Sequence, residues 1–217
     1  PYIEAQFHDG SVEKIWCTFD QEQIDFDIAS KKTRSLFSDF LAFLCDQGAK
    51  MVRLDAFAYA TKRAGTNCFF IEPDVWEVLD FIRSVVAPYE VELLPEVHEH
   101  YSYQMKLAER GFWVYDFALP MLTLDTHDGI GVVDVVDLMT GEEIERTKNN
   151  LFEHGANLKR RYNTAQYNNL DVYQINCTYY SALGNNDRRY LLARAIQFFA
   201  PGIPQVYYVG LLAGEND

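Results

Sequence analysis

The chain has 217 residues, of which 48% are hydrophobic and 15% aromatic, a composition typical of a folded globular protein. Nineteen basic residues against thirty-two acidic ones give a net charge of -13, which argues against nucleic acid or an anionic membrane surface as the main partner. An anionic substrate therefore needs a local positive site.

The cysteine pattern and the lack of targeting segments indicate the compartment. Cys17, Cys45, Cys68 and Cys177 show no CxxC spacing, so reduced thiols are the simpler interpretation. No apolar run approaches the length of a membrane span, and the first residues do not form a signal peptide. We therefore expect a cytoplasmic protein with no membrane partner. Because the chain begins at Pro1 without a methionine, it can be part of a longer protein.

Apolar periodicity predicts helices that alternate with short strands. Ser30 precedes one helical pattern that ends in a glycine, and Pro73 opens a second over EPDVWEVLDFIRSVV. Thr140 and Glu143 have the spacing of a capping box for a helix that reaches about His154. Other helices are predicted over YQMKLAERG and DRRYLLARAIQFFAPG, and strands over MVRLDAF, VELLPEV, FWVYDFAL, LTLDTH and IPQVYYVG.

This alternation predicts a parallel sheet with crossover helices. The phosphate-binding glycine patterns of the open nucleotide-binding folds are absent, which favours a barrel, where chemistry gathers at the carboxyl ends of the strands. One passage breaks the pattern, because the strand runs that end at Leu119 and begin at Leu122 leave no room for a crossover. Either a helix-sized piece is absent here, or these runs are not both barrel strands.

The stretch VRLDAFAYA places two charges inside an apolar run. Arg53 and Asp55 face the same way on a strand, so they form either a buried structural ion pair or a deliberately ionised carboxylate. Cleavage of a glycosidic bond needs one ionised and one protonated carboxyl group. The neighbouring arginine favours ionised Asp55, and the apolar setting LLPEV favours protonated Glu96. Glu96 can alternatively cap the following helix.

A third acid follows the next predicted strand. Asp128, with His127 in LDTHDG, can stabilise a cationic transition state and hold sugar hydroxyls, or the two can form a loop salt bridge. His98 and His100 in VHEH lack the ligand count of a zinc centre, so no metal site is predicted. Structural explanations for all three acids would require three separate coincidences at strand ends.

Three stretches, RLDAFAYA, LLPEVHEH and TLDTHDGIG, resemble in order the second, third and fourth sequence blocks of the alpha-amylase family of glycoside hydrolases. The stretches QIDFD, YDFALP, NNLDVYQIN, TYYSALG and PGIPQVYYVGLLAG narrow this resemblance to the sucrose phosphorylase branch and extend it over practically the whole chain. The resemblance implies a partial (β/α)8 TIM barrel with inserted small domains and one crossover helix missing near 120–123. Residues 1–16 would be the end of an inserted domain, and residues 17–128 would contain barrel strands four to seven. Residues 129–185 would form an acceptor-side insert, and residues 186–217 the last barrel helix and strand.

The resemblance also implies catalytic roles. Asp55 corresponds to the nucleophile, Glu96 to the general acid and base, and Asp128 to the transition-state stabiliser. Arg53 and His127 correspond to residues that hold the nucleophile and the sugar hydroxyls. The implied reaction is a double displacement through a covalent glucosyl-enzyme, which converts sucrose and inorganic phosphate to alpha-glucose 1-phosphate and fructose with retention.

Binding residues follow from the same resemblance. Tyr59 corresponds to a position that lines the glucose subsite, while Asp171, Tyr173 and Gln174 correspond to a mobile loop that contacts fructose or phosphate. Ordinary loop packing is the alternative for each of them. No metal or organic cofactor is required, because two carboxyl groups supply the nucleophile and the proton. A homodimer is compatible with the sequence.

Other functions stay open. The alternatives are a phosphorylase for sucrose 6'-phosphate, glucosylglycerol or glucosylglycerate, an amylase-like hydrolase or transglucosidase, and a truncated paralogue that binds sugar without turnover. The first sequence block and the C-terminal β domain of the family have no counterpart here. We therefore expect a polypeptide of only these residues to be unstable and inactive. A soluble polypeptide that melts cooperatively and releases fructose from sucrose would contradict this expectation.

Overall fold

The computed structural model describes residues 2–116, 129–159 and 174–216. Within these ranges no helix combines the length and apolar character needed to cross a membrane. All four cysteines are free thiols, as predicted from their spacing. The chain forms two compact units, the first from Pro1–Val97 with Arg110–Val114 and the second from His98–Glu109 with Tyr115–Asp217.

The first unit begins with an antiparallel hairpin of β1 (Tyr2–Gln6) and β2 (Val12–Trp16). Helix α1 (Lys31–Asp46) follows, at the place where the apolar stripe predicts it. Ser30 occupies the position before the helix, but its side chain makes no capping hydrogen bond there. Helix α1 packs against the next helix of the same unit.

A parallel strand pair forms the centre of the first unit. Strands β3 (Met51–Leu54) and β4 (Glu92–Pro95) pair in parallel, and helix α2 (Asp74–Val86) connects them. Both strands and the helix are shorter than the predicted runs, and the predicted parallel pairing is confirmed. The helix is buried along one stripe, because its apolar residues recur at helical spacing. These buried residues are Val75, Trp76, Val78, Leu79, Ile82 and Val86.

The third predicted strand is wrong in its described part. Residues 112–116 form no strand, although the Trp113 amide donates to the Leu93 carbonyl of β4 at 3.1 Å. A single hydrogen bond of this kind does not extend the ladder. The rest of that run and the whole LTLDTH run lie outside the described residues, together with the predicted gap at 120–123.

The second unit contains a small antiparallel sheet. Helix α3 (Ser102–Glu109) precedes it, and its strands β5 (Ile130–Gly131), β6 (Asn157–Lys159) and β7 (Gln174–Asn176) lie in the order β5-β7-β6. Helix α4 (Gly141–Glu153) joins β5 to β6, and the predicted capping box is confirmed with both of its hydrogen bonds. The core between this sheet and helix α4 is the buried cluster of Ile130, Val132, Leu151 and Ile175.

The end of the second unit is helical. Helices α5 (Tyr179–Ala182), α6 (Asp187–Phe199) and α7 (Tyr208–Leu211) surround a cluster of Tyr179, Tyr190 and Ala193. Helix α6 is as predicted, but the strand predicted over IPQVYYVG is wrong. The amides of Leu211 and Leu212 bond back to the carbonyls of Tyr207 and Tyr208, so local helical bonds replace the ladder bonds that a strand needs.

Candidate active site

Arg53 connects the two acids that the sequence predicts to be catalytic. Its Nη1 lies 2.6 Å from Asp55 Oδ1, and its Nη2 lies 2.7 Å from Glu96 Oε1. Asp55 directly follows β3 and Glu96 directly follows β4. Because the two strands are parallel, their carboxyl ends lie side by side, and the Glu96 amide donates to the Leu54 carbonyl at 3.0 Å. The predicted contact between Arg53 and Asp55 is confirmed.

Glu96 has a polar setting, so the apolar setting predicted from LLPEV is wrong. The backbone amide of Ala56 donates to Glu96 Oε2 at 2.8 Å, while Arg53 donates to the other carboxylate oxygen. Ala56 has φ 45° and ψ 35°, a left-handed conformation that is uncommon for a residue with a side chain. The apolar neighbours of Glu96 in sequence do not describe its surroundings, because its carboxyl group reaches the end of a strand forty residues earlier.

The exposure of Asp55 argues against a buried structural ion pair between Arg53 and Asp55. Asp55 is 75% exposed and Arg53 35%, whereas Glu96 is 14% exposed. Exposed ion pairs stabilise proteins by only about 0–1 kcal/mol. The stability of the fold therefore does not explain why Asp55 lies beside Arg53. The arrangement places two carboxyl groups on one cation, with Asp55 open to solvent and Glu96 shielded from it.

Tyr59 lies on a short 3-10 turn, Phe57–Tyr59, just after Asp55. Its ring makes edge-to-face contacts with Phe19 and Phe69, at centroid distances of 5.4 and 5.2 Å. Such contacts fix the plane of a ring more strongly than apolar burial alone. Tyr59, four residues after the predicted nucleophile, thus contacts one aromatic ring that precedes it in the sequence and one that follows it.

Lys62 was missed by the sequence reasoning. Its Nζ donates to the Tyr59 carbonyl at 2.5 Å and to Thr18 Oγ1 at 2.9 Å, and lies 3.2 Å from Asp25 Oδ2. Asp25 belongs to the QIDFD stretch and also accepts from the amide and hydroxyl of Thr18. QIDFD therefore holds the turn that carries Tyr59. The sequence shows only a lysine three residues after Tyr59, and this spacing does not identify the groups that the lysine contacts.

The second unit holds Gln174 in a buried polar cluster. Its side-chain nitrogen lies 3.2 Å from His98 Nε2, and His98 Nδ1 lies 3.2 Å from Asp134 Oδ2. Gln174 and Asp134 are 4% and 1% exposed. Burial, aided by the negative charge of Glu99, raises the pKa of Asp134 to about 8. Sequence reasoning missed Asp134, although an acid inside the apolar run GIGVVDVVDL was a usable signal.

Four predicted site residues, His127, Asp128, Asp171 and Tyr173, lie outside the described residues. Their roles stay predictions. His98 and His100 contact Asp134 and Asp137 respectively, and among the residues that the structure describes no group of three or more acids, histidines or cysteines could hold a metal ion.

Known proteins resemble the chain over its whole length, although no family model matches it. A sucrose phosphorylase from Streptococcus mutans is 52% identical over 243 residues, covering 100% of this chain and 50% of the relative. A glucosylglycerol phosphorylase from Marinobacter adhaerens is 41% identical, covering 100% of this chain and 51% of the relative. The crystal structure of sucrose 6F-phosphate phosphorylase from Thermoanaerobacter thermosaccharolyticum is 43% identical with a TM-score of 0.92, covering 100% of this chain and 51% of that one.

The chain thus spans about half the length of the curated relatives it matches. The alignment with the Streptococcus mutans protein runs over 243 residues, more than the 217 of this chain, so that relative has residues with no counterpart here. This difference is consistent with a missing crossover helix, whose predicted place near 120–123 stays a prediction. With 52% identity over its whole length and the fold of a solved phosphorylase, the chain belongs to the sucrose phosphorylase-type family of glycoside phosphorylases.

Proposed function

We propose that the whole protein containing this chain is a retaining phosphorylase that transfers the glucosyl group of sucrose to inorganic phosphate. The observation that carries the proposal is the contact of both Asp55 and Glu96 with the single guanidinium of Arg53, at 2.6 and 2.7 Å. In retaining enzymes the two carboxyl groups lie about 5 Å apart, on either side of the glycosidic bond. One shared cation keeps the two carboxyl groups close to each other, as a catalytic pair of this kind requires.

In the first step, Asp55 acts as the nucleophile. Its carboxylate oxygen forms a bond to the anomeric carbon of glucose while the bond to the fructosyl oxygen breaks, and Glu96 gives its proton to that leaving oxygen. The two roles suit the exposure of the acids, because Asp55 is open to an incoming ligand and Glu96 is shielded. Asp128 and His127 complete the proposed site by stabilising the cationic transition state and holding sugar hydroxyls.

In the second step, an oxygen of inorganic phosphate attacks the anomeric carbon and displaces Asp55. Glu96, now ionised, accepts the proton that the phosphate releases. Both oxygens of Glu96 already receive donors, from Arg53 and from the Ala56 amide, which suits this ionised form. When Glu96 carries a proton on one oxygen in the first step, its other oxygen can still accept from Arg53. Two inversions at one carbon give alpha-glucose 1-phosphate with retained configuration.

Sucrose is the proposed donor because the relative at 52% identity is named for it, while relatives at 41% and 43% are named for glucosylglycerol and sucrose 6F-phosphate. These names share glucosyl transfer to phosphate and differ in the leaving group. The proposed acceptor loop of Asp171, Tyr173 and Gln174 is the part of the chain where we expect that difference to lie. The proposed fold of the whole protein is a (β/α)8 barrel, in which β3, α2 and β4 form one strand-helix-strand repeat.

The first test is phosphate dependence in the whole protein. With sucrose, we expect fructose release that requires phosphate and yields equal amounts of glucose 1-phosphate, measured by enzymatic assay of both products. Equal fructose release without phosphate would indicate a hydrolase instead. Preference for glucosylglycerol, glucosylglycerate or sucrose 6'-phosphate in the same assay would reassign the donor. Binding of sucrose without turnover would support the non-enzymatic alternative.

Replacement of the nucleophile tests the role of Asp55. We expect Asp55→Asn to abolish turnover, because the amide cannot form the glucosyl ester, and to leave the melting temperature nearly unchanged. Asp74→Asn is the matched control, since Asp74 makes an exposed contact of 2.7 Å with Arg63. That control should retain activity. Unfolding of the Asp55 variant with the control intact would favour a structural ion pair.

Arg53→Lys tests the shared cation. An ammonium group cannot reproduce the planar fork that reaches two carboxylates at once, so the acids lose their fixed separation. We expect kcat/KM to fall about 100-fold or more, the size of effect that an error of about 1 Å in position produces. Arg63→Lys, where one nitrogen contacts one carboxylate, should change kcat/KM little. Similar activity in the two variants would remove the central support of the proposal.

A further inference from the structure

A lysine of the first unit, Lys62, has its ammonium group committed to the protein. Its side chain is 14% exposed. Its Nζ donates to the Tyr59 carbonyl at 2.5 Å and to Thr18 Oγ1 at 2.9 Å, and lies 3.2 Å from Asp25 Oδ2. An ammonium group has three N–H donors and no acceptor, so these three contacts account for the whole group. Lys62 therefore acts on the residues that it contacts and not on a substrate.

Asp25 and Thr18 form the fixed side of this arrangement. Asp25 Oδ2 accepts from the Thr18 amide at 2.9 Å and from the Thr18 hydroxyl at 2.5 Å. The Asp25 amide donates to the carbonyl of Trp16, the last residue of β2, at 2.9 Å. Because the Thr18 hydroxyl gives its hydrogen to Asp25, its oxygen is able to accept from Lys62. The lysine is thus attached to a base that strand β2 holds in place.

The other side of the arrangement is the turn that carries Tyr59. Lys62 bonds the Tyr59 carbonyl, and the Tyr59 amide donates to the Ala56 carbonyl at 3.0 Å. The Ala56 amide in turn donates to Glu96 Oε2 at 2.8 Å. A continuous run of hydrogen bonds therefore leads from Lys62 through this turn to the proposed general acid. Lys62 holds one end of the turn, and the other end contacts Glu96.

Lys62 also connects the backbones that carry two rings in contact. Phe19 directly follows Thr18, and its ring meets the Tyr59 ring edge to face at a centroid distance of 5.4 Å. Since Lys62 bonds both the Thr18 hydroxyl and the Tyr59 carbonyl, it limits how far the two segments can separate. Without the ammonium group, the turn would be free to shift away from Phe19, and the Tyr59 ring would shift with it.

We propose that Lys62 is a positioning residue, which holds the turn so that the Tyr59 ring lies against the glucosyl group of the donor. This inference rests on the proposed function, in whose glucose subsite Tyr59 is predicted to lie. Lys62 does not itself touch the substrate. A side chain that contacts substrate is effective only when the hydrogen bonds behind it fix its place. A compact ammonium group suits that task, because its three donors rotate to reach acceptors on different segments.

The first measurement is kcat/KM in the whole protein for two donors, sucrose and alpha-glucosyl fluoride, with phosphate as the acceptor. The two donors share only the glucosyl group. We expect Lys62→Met to lower both values by the same factor, about 10- to 100-fold, because an error of about 1 Å in position can cost about 100-fold. Lys148→Met is the matched control, since the Lys148 side chain is 16% exposed and contacts Glu145 at 2.6 Å. The control should change neither value.

A double-mutant cycle with Tyr59→Ala shows whether Lys62 acts through that ring. In the Tyr59→Ala background we expect Lys62→Met to change kcat/KM by less than about twofold, because the group that Lys62 positions is gone. A lysine with a merely structural role would lower activity equally in both backgrounds. Lys62→Arg keeps the charge opposite Asp25 but not the compact ammonium group. For that variant we expect a loss of about two- to tenfold, the range for one hydrogen bond.

Three results would overturn the inference: full activity of folded Lys62→Met, an equal loss in the Tyr59→Ala background, or a loss with sucrose that glucosyl fluoride does not share. If circular dichroism shows that Lys62→Met does not fold, Lys62→Arg decides, and full activity of that variant overturns the inference. An unmodified protein that turns over neither donor would overturn the proposed function and the inference with it. Turnover of both donors by the unmodified protein, with lysine variants that match it, would overturn the inference alone.

Discussion

In the first unit, one guanidinium group that bonds two carboxylates holds the candidate active site together. A guanidinium is planar and holds its terminal nitrogens at a fixed separation, so Asp55 and Glu96 cannot move independently while both contact Arg53. The pairing of β3 with β4 decides where each acid leaves its strand. The Ala56 amide then fixes the remaining oxygen of Glu96. Backbone pairing and one side chain together set the geometry of the acids.

The features that the sequence predicted are those with local causes. Apolar spacing predicts α1, α2 and α6, because one stripe of each helix must be buried, and two-residue spacing predicts that Arg53 and Asp55 meet. Thr140 and Glu143 satisfy each other within one turn of helix α4. For the ion pair and the capping box the partner lies within a few residues, so the pattern contains the whole interaction.

The features that the sequence did not predict have partners far along the chain. Glu96 accepts from Ala56 forty residues earlier, so its apolar neighbours in LLPEV gave the wrong setting. The run IPQVYYVG has the composition of a strand, but ladder pairing depends on a neighbour that composition does not reveal. The reason for a glycine at position 131 is evident only when β7 is paired with β5, because Asp134 and His98 fill the space that a Cβ there would occupy.

Two histidine and aspartate pairs show how burial separates residues that look equivalent in sequence. His98 contacts Asp134 at 3.2 Å, and His100 contacts Asp137 at 3.3 Å. The Asp137 carboxylate is 74% exposed, so water solvates its charge and the contact to His100 is a weak surface interaction. The Asp134 carboxyl is 1% exposed, and without water its charge depends on the protein groups that face it. Burial thus leaves the Asp134 carboxyl dependent on the protein groups around it, whereas the exposed Asp137 pair has solvent to replace either partner.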